Sequence, residues 1–363
     1  MSVRSAALLL GLSLLGLLLF SACGSIAAPQ GWAAPVAVDG TILVTLQRAK
    51  LSAIDQQTNQ ETWQFPPKDA KDMDLKAIYG TPVTGDGRVY FGGFDGTFYA
   101  LDLATGQVLW QQKTGAAIVG GAALADGTVY VGSSDSKLYA FDAATGAARW
   151  GPFETQGEIW STPVVDQGTV YVTSMDKRVY ALDAATGQQE WSKPFEADGA
   201  IASTPALAGD RLYVGALDNR LYALDKATGE VAWSFETDNW IWCDPLVADG
   251  VVYVGGLDHH VYALDASTGE PRWPQPFSAK APIRAQPALA GGVLVVADEN
   301  GDVYGLDPAT GQERWPSIVL GAGALANPLV AGNEVLLSVR NWSLLRVDAQ
   351  AGSFSQMQVL PAP

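Results

Sequence analysis

The chain has 363 residues, 48% hydrophobic and 17% charged, with a formal net charge of −16 at neutral pH. With 38 acidic against 22 basic residues, nucleic-acid binding and electrostatic docking on anionic lipid are excluded, and a neutral or basic partner surface is favoured. Two cysteines, Cys23 and Cys243, exclude a disulfide framework.

The chain opens on a segment unlike the rest. Across residues 1–23 Arg4 is the only charge, followed by an apolar run from Ala6 to Phe20 and then Ser21-Ala22-Cys23. A charged start, an apolar stretch and a small-residue cleavage site make a secretory signal peptide. The run is short for a membrane-spanning helix, which needs about 20 residues. Phe20-Ser21-Ala22-Cys23 resembles a bacterial lipobox, with Phe20 where leucine is usual and Leu19 beside it. That resemblance implies cleavage before Cys23 and a lipid on its sulfur. Ordinary secretion, with cleavage after Ala22 or near Ala27-Ala28, is the alternative. Residues 24–31 read as a short tether.

From residue 32 to 360 one phrase recurs eight times; clear copies are Ala100–Trp110 (ALDLATGQVLW) and Ala223–Trp233 (ALDKATGEVAW). Its aspartate falls at Asp55, Asp102, Asp142, Asp183, Asp225, Asp265, Asp307 and Asp348. Its tryptophan falls at Trp63, Trp110, Trp150, Trp191, Trp233, Trp273 and Trp315, with Phe354 in the eighth place. A period near 40 residues marks a solenoid or a propeller.

Within a repeat the apolar pattern has period two, bounded by Gly, Asp and Asn, which reads as short strands joined by tight turns. In Gly157–Phe195 the expected strands are Ile159–Val165, Thr169–Thr173, Arg178–Asp183 and Gln189–Lys193. No long amphipathic helical pattern follows the N-terminus, so the fold class is all-β. The phrase aspartate is placed to accept N–H bonds in the turn after the third strand, and Thr-Gly closes that turn. The tryptophan on the outermost strand is expected to wedge against the neighbouring sheet. A lone four-stranded sheet cannot bury both faces, so the units must stack, and a closed ring protects most edges. Eight units give an eight-bladed β-propeller. Seven is the alternative, because the end copies deviate at Asn59, Ala351 and Phe354.

Period, Asp, Thr-Gly turn and Trp together resemble the PQQ-like repeat family, from about Trp32 to Leu360. That family includes quinone-dependent dehydrogenases, but these are usually much longer and carry a vicinal Cys-Cys pair beside an acidic calcium site. Here the repeats are almost free of insertions and no Cys-Cys occurs. A propeller-only chain behind a lipobox resembles instead the BamB family, lipoprotein scaffolds of the outer-membrane β-barrel assembly machine. The resemblance implies a non-enzymatic scaffold without a cofactor, anchored by lipid in the cell envelope, with an envelope protein such as a β-barrel assembly protein as partner. It would sit on the periplasmic face of the outer membrane, or on the outer face of the cytoplasmic membrane in a single-membraned cell. A quinone-dependent enzyme and a ligand-sensing propeller are the competing readings.

Standard catalytic motifs are absent from the sequence. His259 and His260 are adjacent in a turn, and neighbours on a strand point to opposite faces, which makes a poor metal site. Asp95, Asp135, Asp176, Asp218 and Asp258, with Asn300 in the matching place, read as starters of the hairpin between second and third strands. Cys243 reads as a small buried residue on the first strand of blade 6. Turns after strands two and four share one face of the disc, and the sequence variation gathers there. The candidate partner-binding residues are Trp160, Trp242 and Arg284, three positions before a proline, with Lys177, Arg178, Arg220 and Trp240 in the loops. Aromatic and arginine side chains suit a protein interface. The alternative is that these tryptophans plug the central channel.

Overall fold

The structure is a computed structural model that describes residues 31–47, 49–70, 73–341 and 343–360. The signal segment 1–23, Cys23 and tether residues 24–30 lie outside the described residues. Eight four-stranded antiparallel sheets follow one another in chain order, each with its strands in sequence order. Blade 1 runs from Val36 to Phe65, blade 4 from Val164 to Glu196, and blade 8 from Leu329 to Gln356. The count is eight, and seven is set aside. Among the described residues no helix is long and apolar enough to cross a membrane.

Blade 4 shows how the residues set the strands. Its strands are Val164–Asp166, Thr169–Thr173, Arg178–Asp183 and Phe195–Glu196. The two central strands match the sequence expectation, and the two flanking ones do not. The inner strand starts after Pro163, which has no N–H to give a ladder, and the Thr162 N–H goes to Thr204 Oγ1 of the next blade instead. Of the expected outer strand Gln189–Lys193, only a bridge from Leu182 to Gln189 remains before Pro194 interrupts it. Blade 6 repeats the pattern, with a bridge from Leu264 to Pro271, then Pro274 and Pro276, then a two-residue strand Phe277–Ser278.

The turn after the third strand is built as one unit. Asp102 Oδ1 accepts from the Thr105 N–H at 2.9 Å and from the Thr105 hydroxyl at 2.7 Å. Gly106 N–H returns to the Asp102 carbonyl at 2.8 Å with φ of +70°, a conformation glycine adopts without strain. The threonine hydroxyl bond, foremost, holds the Asp102 carboxyl below its ordinary range. Blade 1 keeps this turn with Asn59 at φ +57°, the residue type that best tolerates glycine's place.

Each turn is also a dock. Trp110 of blade 2 donates its Nε1–H to the Ala143 carbonyl of blade 3 at 3.0 Å. Its ring lies against Gly146, where an added Cβ would stand 2.7 Å from the indole. Tyr90, on the second strand of blade 2, donates its hydroxyl to the same carbonyl at 2.9 Å, so both lone pairs of that oxygen are used. Trp63, Trp150, Trp191, Trp233, Trp273 and Trp315 make the equivalent bond to Leu103, Ala184, Lys226, Ala266, Pro308 and Ala349. Between blades 8 and 1 the joint differs. Phe354 is 44% exposed, and the tail closes the seam: Leu360 N–H donates to the Asn59 carbonyl and Glu61 N–H to the Leu360 carbonyl, both at 2.9 Å. Beneath it Ile42, Val44 and Ile54 of blade 1 pack with Leu336, Leu344 and Met357.

Backbone bonds sort the turns into two faces. Leu103 N–H to the Gly87 carbonyl joins a Thr-Gly turn to the turn after the first strand. On the other face Met175 N–H to the Glu158 carbonyl joins a second-to-third hairpin to the connection between blades.

Candidate interaction face

Ahead of each inner strand runs a five-residue segment with a fixed pattern. In blades 4 to 7 it reads Ile159-Trp160-Ser161-Thr162-Pro163, Ile201-Ala202-Ser203-Thr204-Pro205, Ile241-Trp242-Cys243-Asp244-Pro245 and Ile283-Arg284-Ala285-Gln286-Pro287. The isoleucines are fully buried. The middle residue is small because backbones of adjacent blades close on it: a Cβ at Gly120 would meet the Ser161 carbonyl at 2.2 Å.

That slot accounts for Cys243. Ser161 and Ser203 donate their hydroxyls to Thr173 and Gly215 carbonyls, and Ser203 Oγ accepts from the Gly215 N–H at 3.0 Å. Cys243 Sγ takes the equivalent N–H, from Gly255, at 3.4 Å. It lies ahead of the inner strand Leu246–Ala248 and not on it, because Pro245 again delays the ladder. Complete burial pushes the thiol well above its usual range, which removes it as a nucleophile. Cys243→Ser should therefore shift stability by less than about 1 kcal/mol, whereas Cys243→Leu, forced against backbone, should cost about 1–3 kcal/mol. Denaturant midpoints check both; equal midpoints for the two variants would refute the tight slot.

In blades 4 to 8 the residue before the proline is polar, and these residues link blades to one another around the axis. Thr204 N–H donates to Asp244 Oδ1 at 2.6 Å, and Gln286 N–H to Asn327 Oδ1 at 2.9 Å. Asn327 Nδ2 reaches across blade 7 to Asp244 Oδ2 at 2.7 Å. Desolvation raises the Asp244 carboxyl above its ordinary range, against the lowering effect of these donors. Sequence reasoning missed this ring, although Thr81, Thr162, Thr204, Asp244, Gln286 and Asn327 all precede a proline.

One layer above, at the channel mouth, the structure brings three candidates together. Trp160 and Trp242 stand 6.2 Å apart between ring centroids, tilted by 48°, and Ala202 in the blade between them is small. The Arg284 guanidinium lies 5.2 Å from the Trp242 ring centre and pairs with Glu299. Trp160 Nε1–H donates to Glu158 Oε2 at 2.6 Å and to Ser134 Oγ at 3.1 Å. Trp32 meets Tyr79 edge-on at 4.5 Å, and Tyr79 meets Phe94 at 5.4 Å. Trp160 and Trp242 are half-buried, so they line the mouth and keep part of each ring open to it.

The other candidates stand further out on the same face. Arg178 and Arg220 pair across strands with Glu196 and Glu236, at 3.0 and 3.3 Å. Lys177, at φ +76°, donates its Nζ to the Asp198 carbonyl at 2.8 Å. Trp240 is half-buried in the connection between blades 5 and 6. His259 occupies the turn position of Lys177, at φ +71°. Asp176 accepts from the Arg178 N–H, the Tyr180 hydroxyl and the Gln156 N–H, which are turn duties. In blade 7 that duty falls to Asp298, and not to the matching Asn300: it accepts from the N–H groups of Asn300 and Asp302 and from Tyr304. An amide offers one acceptor oxygen where the turn needs two, and Asp298 supplies both.

A family model described as outer membrane protein assembly factor BamB matches overlapping segments 24–152, 94–202, 151–239, 197–316 and 260–355. The chain belongs to this family of PQQ-type propeller repeats. BamB of Aliivibrio fischeri is 32% identical over 93 residues, 24% of this chain and 24% of that protein. A quinohemoprotein alcohol dehydrogenase of Comamonas testosteroni is 35% identical over 86 residues, 23% of this chain and 12% of the enzyme. The matches thus span under a quarter of these relatives' length. The crystal structure of BamB from Moraxella catarrhalis aligns with a TM-score of 0.72 at 21% identity, covering 86% of this chain and 95% of that one. This last likeness shows the shared propeller of the BamB-type chain.

Arg284 is engaged by both Glu299 and Trp242. Among the described residues no group of three or more His, Cys, Asp or Glu side chains converges to hold a metal.

Proposed function

We propose that the chain is a non-enzymatic, lipid-anchored scaffold of the cell envelope that holds a protein partner in outer-membrane protein assembly. The observation that carries this reading is the asymmetry of the disc. One face repeats Asp-Gly and Thr-Gly turns, while the other gathers Trp160, Trp242 and Arg284 around its centre, with Trp240 further out. Central aromatic and arginine side chains with a polar rim are the arrangement of an interface hot spot. BamB relatives point the same way, and the signal segment supports export. Crosslinking in cells followed by capture from envelope extract tests it, and recovery of no protein partner would overturn it.

Anchoring rests on one sulfur. Cys23→Ala should leave the protein uncleaved or release it into the soluble envelope fraction, because lipid on that thiol supplies membrane affinity. Wild-type protein found wholly in the soluble fraction without detergent would refute the anchor.

A second reading, a quinone-dependent dehydrogenase, is favoured by the 35% identity to the Comamonas enzyme. Incubation with PQQ and calcium, followed by absorption spectroscopy and a dye-linked alcohol assay, separates the two. Quinone-dependent turnover would displace the scaffold reading.

A further inference from the structure

The joint between blades 8 and 1 lacks both of the interlocks found at other joints. At each of the other seven a tryptophan of one blade donates its indole N–H to a carbonyl of the next. In four of those seven a second interlock is present, because an isoleucine ahead of the next inner strand fills the space left by a glycine on the second strand. A Cβ at Gly92, Gly132, Gly215 or Gly255 would stand between 2.1 and 2.3 Å from Ile118, Ile159, Ile241 or Ile283. At the joint of blades 8 and 1, Phe354 replaces the tryptophan and is 44% exposed, Ser338 replaces the glycine, and Gly31 replaces the isoleucine. Gly31 has no side chain to send across. The Ser338 hydroxyl is buried and has no hydrogen-bond partner among the described residues. Blades 7 and 8 also pair two small residues, Ala297 and Ala324, yet they keep the Trp315 dock.

We propose that this joint is a gate in the ring, latched by residues Met357–Leu360 as a strap, and that it opens while the other seven joints stay shut. The strap spans the gap that the missing interlocks leave. Met357 N–H donates to the Leu344 carbonyl of blade 8 at 2.9 Å, and its side chain packs with Ile42, Val44 and Ile54 of blade 1. Leu360 then exchanges two backbone bonds with Asn59 and Glu61. The outer side of the strap is thinly covered: Leu360 is 46% exposed, and a crevice of about 340 Å³ lined by Ser343, Leu344, Gln356 and Met357 runs beside it. Few buried contacts and an unpaired buried hydroxyl mark the part of a fold that opens locally before the whole unfolds. Release of the strap breaks only short-range backbone bonds and one small apolar cluster, whereas opening any other joint must also strip an indole ring from a glycine turn. Opening uncovers Ile42, Val44 and Leu336 while every blade keeps its own four-stranded ladder. The gate depends on neither the lipid anchor nor the scaffold reading.

Thiol labelling of the purified full chain tests the gate. Ser338→Cys puts a thiol at the joint of blades 8 and 1, and Thr45→Cys puts one at the same strand position facing blade 2, where Trp63 docks. Both replaced hydroxyls are buried, and fully buried Cys243 in blade 6 is a native reporter. A maleimide should modify the Ser338→Cys thiol at least about a hundredfold faster than the Thr45→Cys thiol or Cys243, the signature of one local opening. Equal rates overturn the gate. Peptide mass mapping assigns the label to each cysteine, so Cys23 does not interfere. Hydrogen exchange reads the same event in the unaltered chain: the Glu61 and Leu360 amides should exchange together and faster than the Thr204 amide, which bonds across to blade 6. Exchange as slow as that of Thr204 overturns the gate as well. A lock tests the strap. Gln60 and Leu360 are bridge partners on adjacent strands, which lie about 4.8 Å apart, within reach of a disulfide. With Gln60→Cys and Leu360→Cys oxidised to a disulfide, labelling of the Ser338→Cys thiol should fall to the Thr45→Cys rate. An unchanged rate would refute the strap as the latch.

Discussion

Trp191→Ala will lower the stability of the propeller by about 3–5 kcal/mol, the range for a large buried aromatic replaced by a cavity. Trp191 is 3% exposed, its Nε1–H meets the Lys226 carbonyl at 3.1 Å, and its ring covers Gly229. Tyr171 shares that carbonyl at 3.1 Å and stands 6.0 Å from the indole centre. Removing the ring thus strips blade 5 of its cover and leaves the Tyr171 hydroxyl as the only side-chain donor to Lys226. One wall of the cavity is the Gly229 turn backbone, which cannot move in to fill it, and the Tyr171 ring stands on the other side. Phe354→Ala is the control, since Phe354 in the equivalent place is largely exposed and should cost less than about 1 kcal/mol. Denaturant unfolding at constant slope measures both. An unchanged midpoint for Trp191→Ala would sink the docking role.

Period, fold class and the Thr-Gly turn were legible because they are local or strictly repeated. An Asp that bonds two and three residues ahead needs no tertiary information, and eight copies at one period leave few ways to pack. Other features were hidden for physical reasons. Tyrosines such as Tyr90 and Tyr213 read as strand-forming aromatics, yet each hydroxyl crosses to the next blade. Their partner lies 53 residues away, which no local pattern announces. The outer strand of blade 4 was placed too early, because Pro194 breaks the ladder after the bridge at Gln189 and pairing resumes only at Phe195–Glu196. Asp298 was overlooked for Asn300 because the turn is read by spacing from the tyrosine, and blade 7 places its carboxylate two residues earlier.

The candidate site was legible in part. Proline spacing located Trp160, Trp242 and Arg284, since a fixed offset from the inner strand fixes height along the axis. It could not reveal that Trp160 and Trp242 touch, because they belong to blades 4 and 6 and meet over Ala202. Nor could it show that Arg178 and Arg220 have carboxylates opposite them on the outer strands. Those pairs are solvent-facing, so they hold the side chains loosely and leave them free to exchange partners. The seam between blades 8 and 1 is likewise invisible to periodicity, because the contact of Leu360 with Asn59 is the one joint that occurs once.

Partner capture should separate the two faces of the disc. Trp240→Ala, or the paired change Lys177→Ala with Arg178→Ala, should weaken binding about thirtyfold or more, the roughly 2 kcal/mol that an interface anchor carries. Stability should move by less than about 0.5 kcal/mol, because Trp240 is only half-buried and the Arg178–Glu196 pair is solvent-facing. Gln107→Ala and Gln188→Ala, exposed beside Thr-Gly turns, should change neither quantity. Thermal midpoints establish that each variant is folded before capture from envelope extract is compared. Binding lost only in the Gln107 and Gln188 variants would move the interface to the opposite face. Capture reduced by Trp240→Ala but not by the paired cation change would place the contact on the connection between blades 5 and 6, beside the aromatic centre. There Trp160, Trp242 and Arg284 already pack together, and a partner loop would cover their open edges.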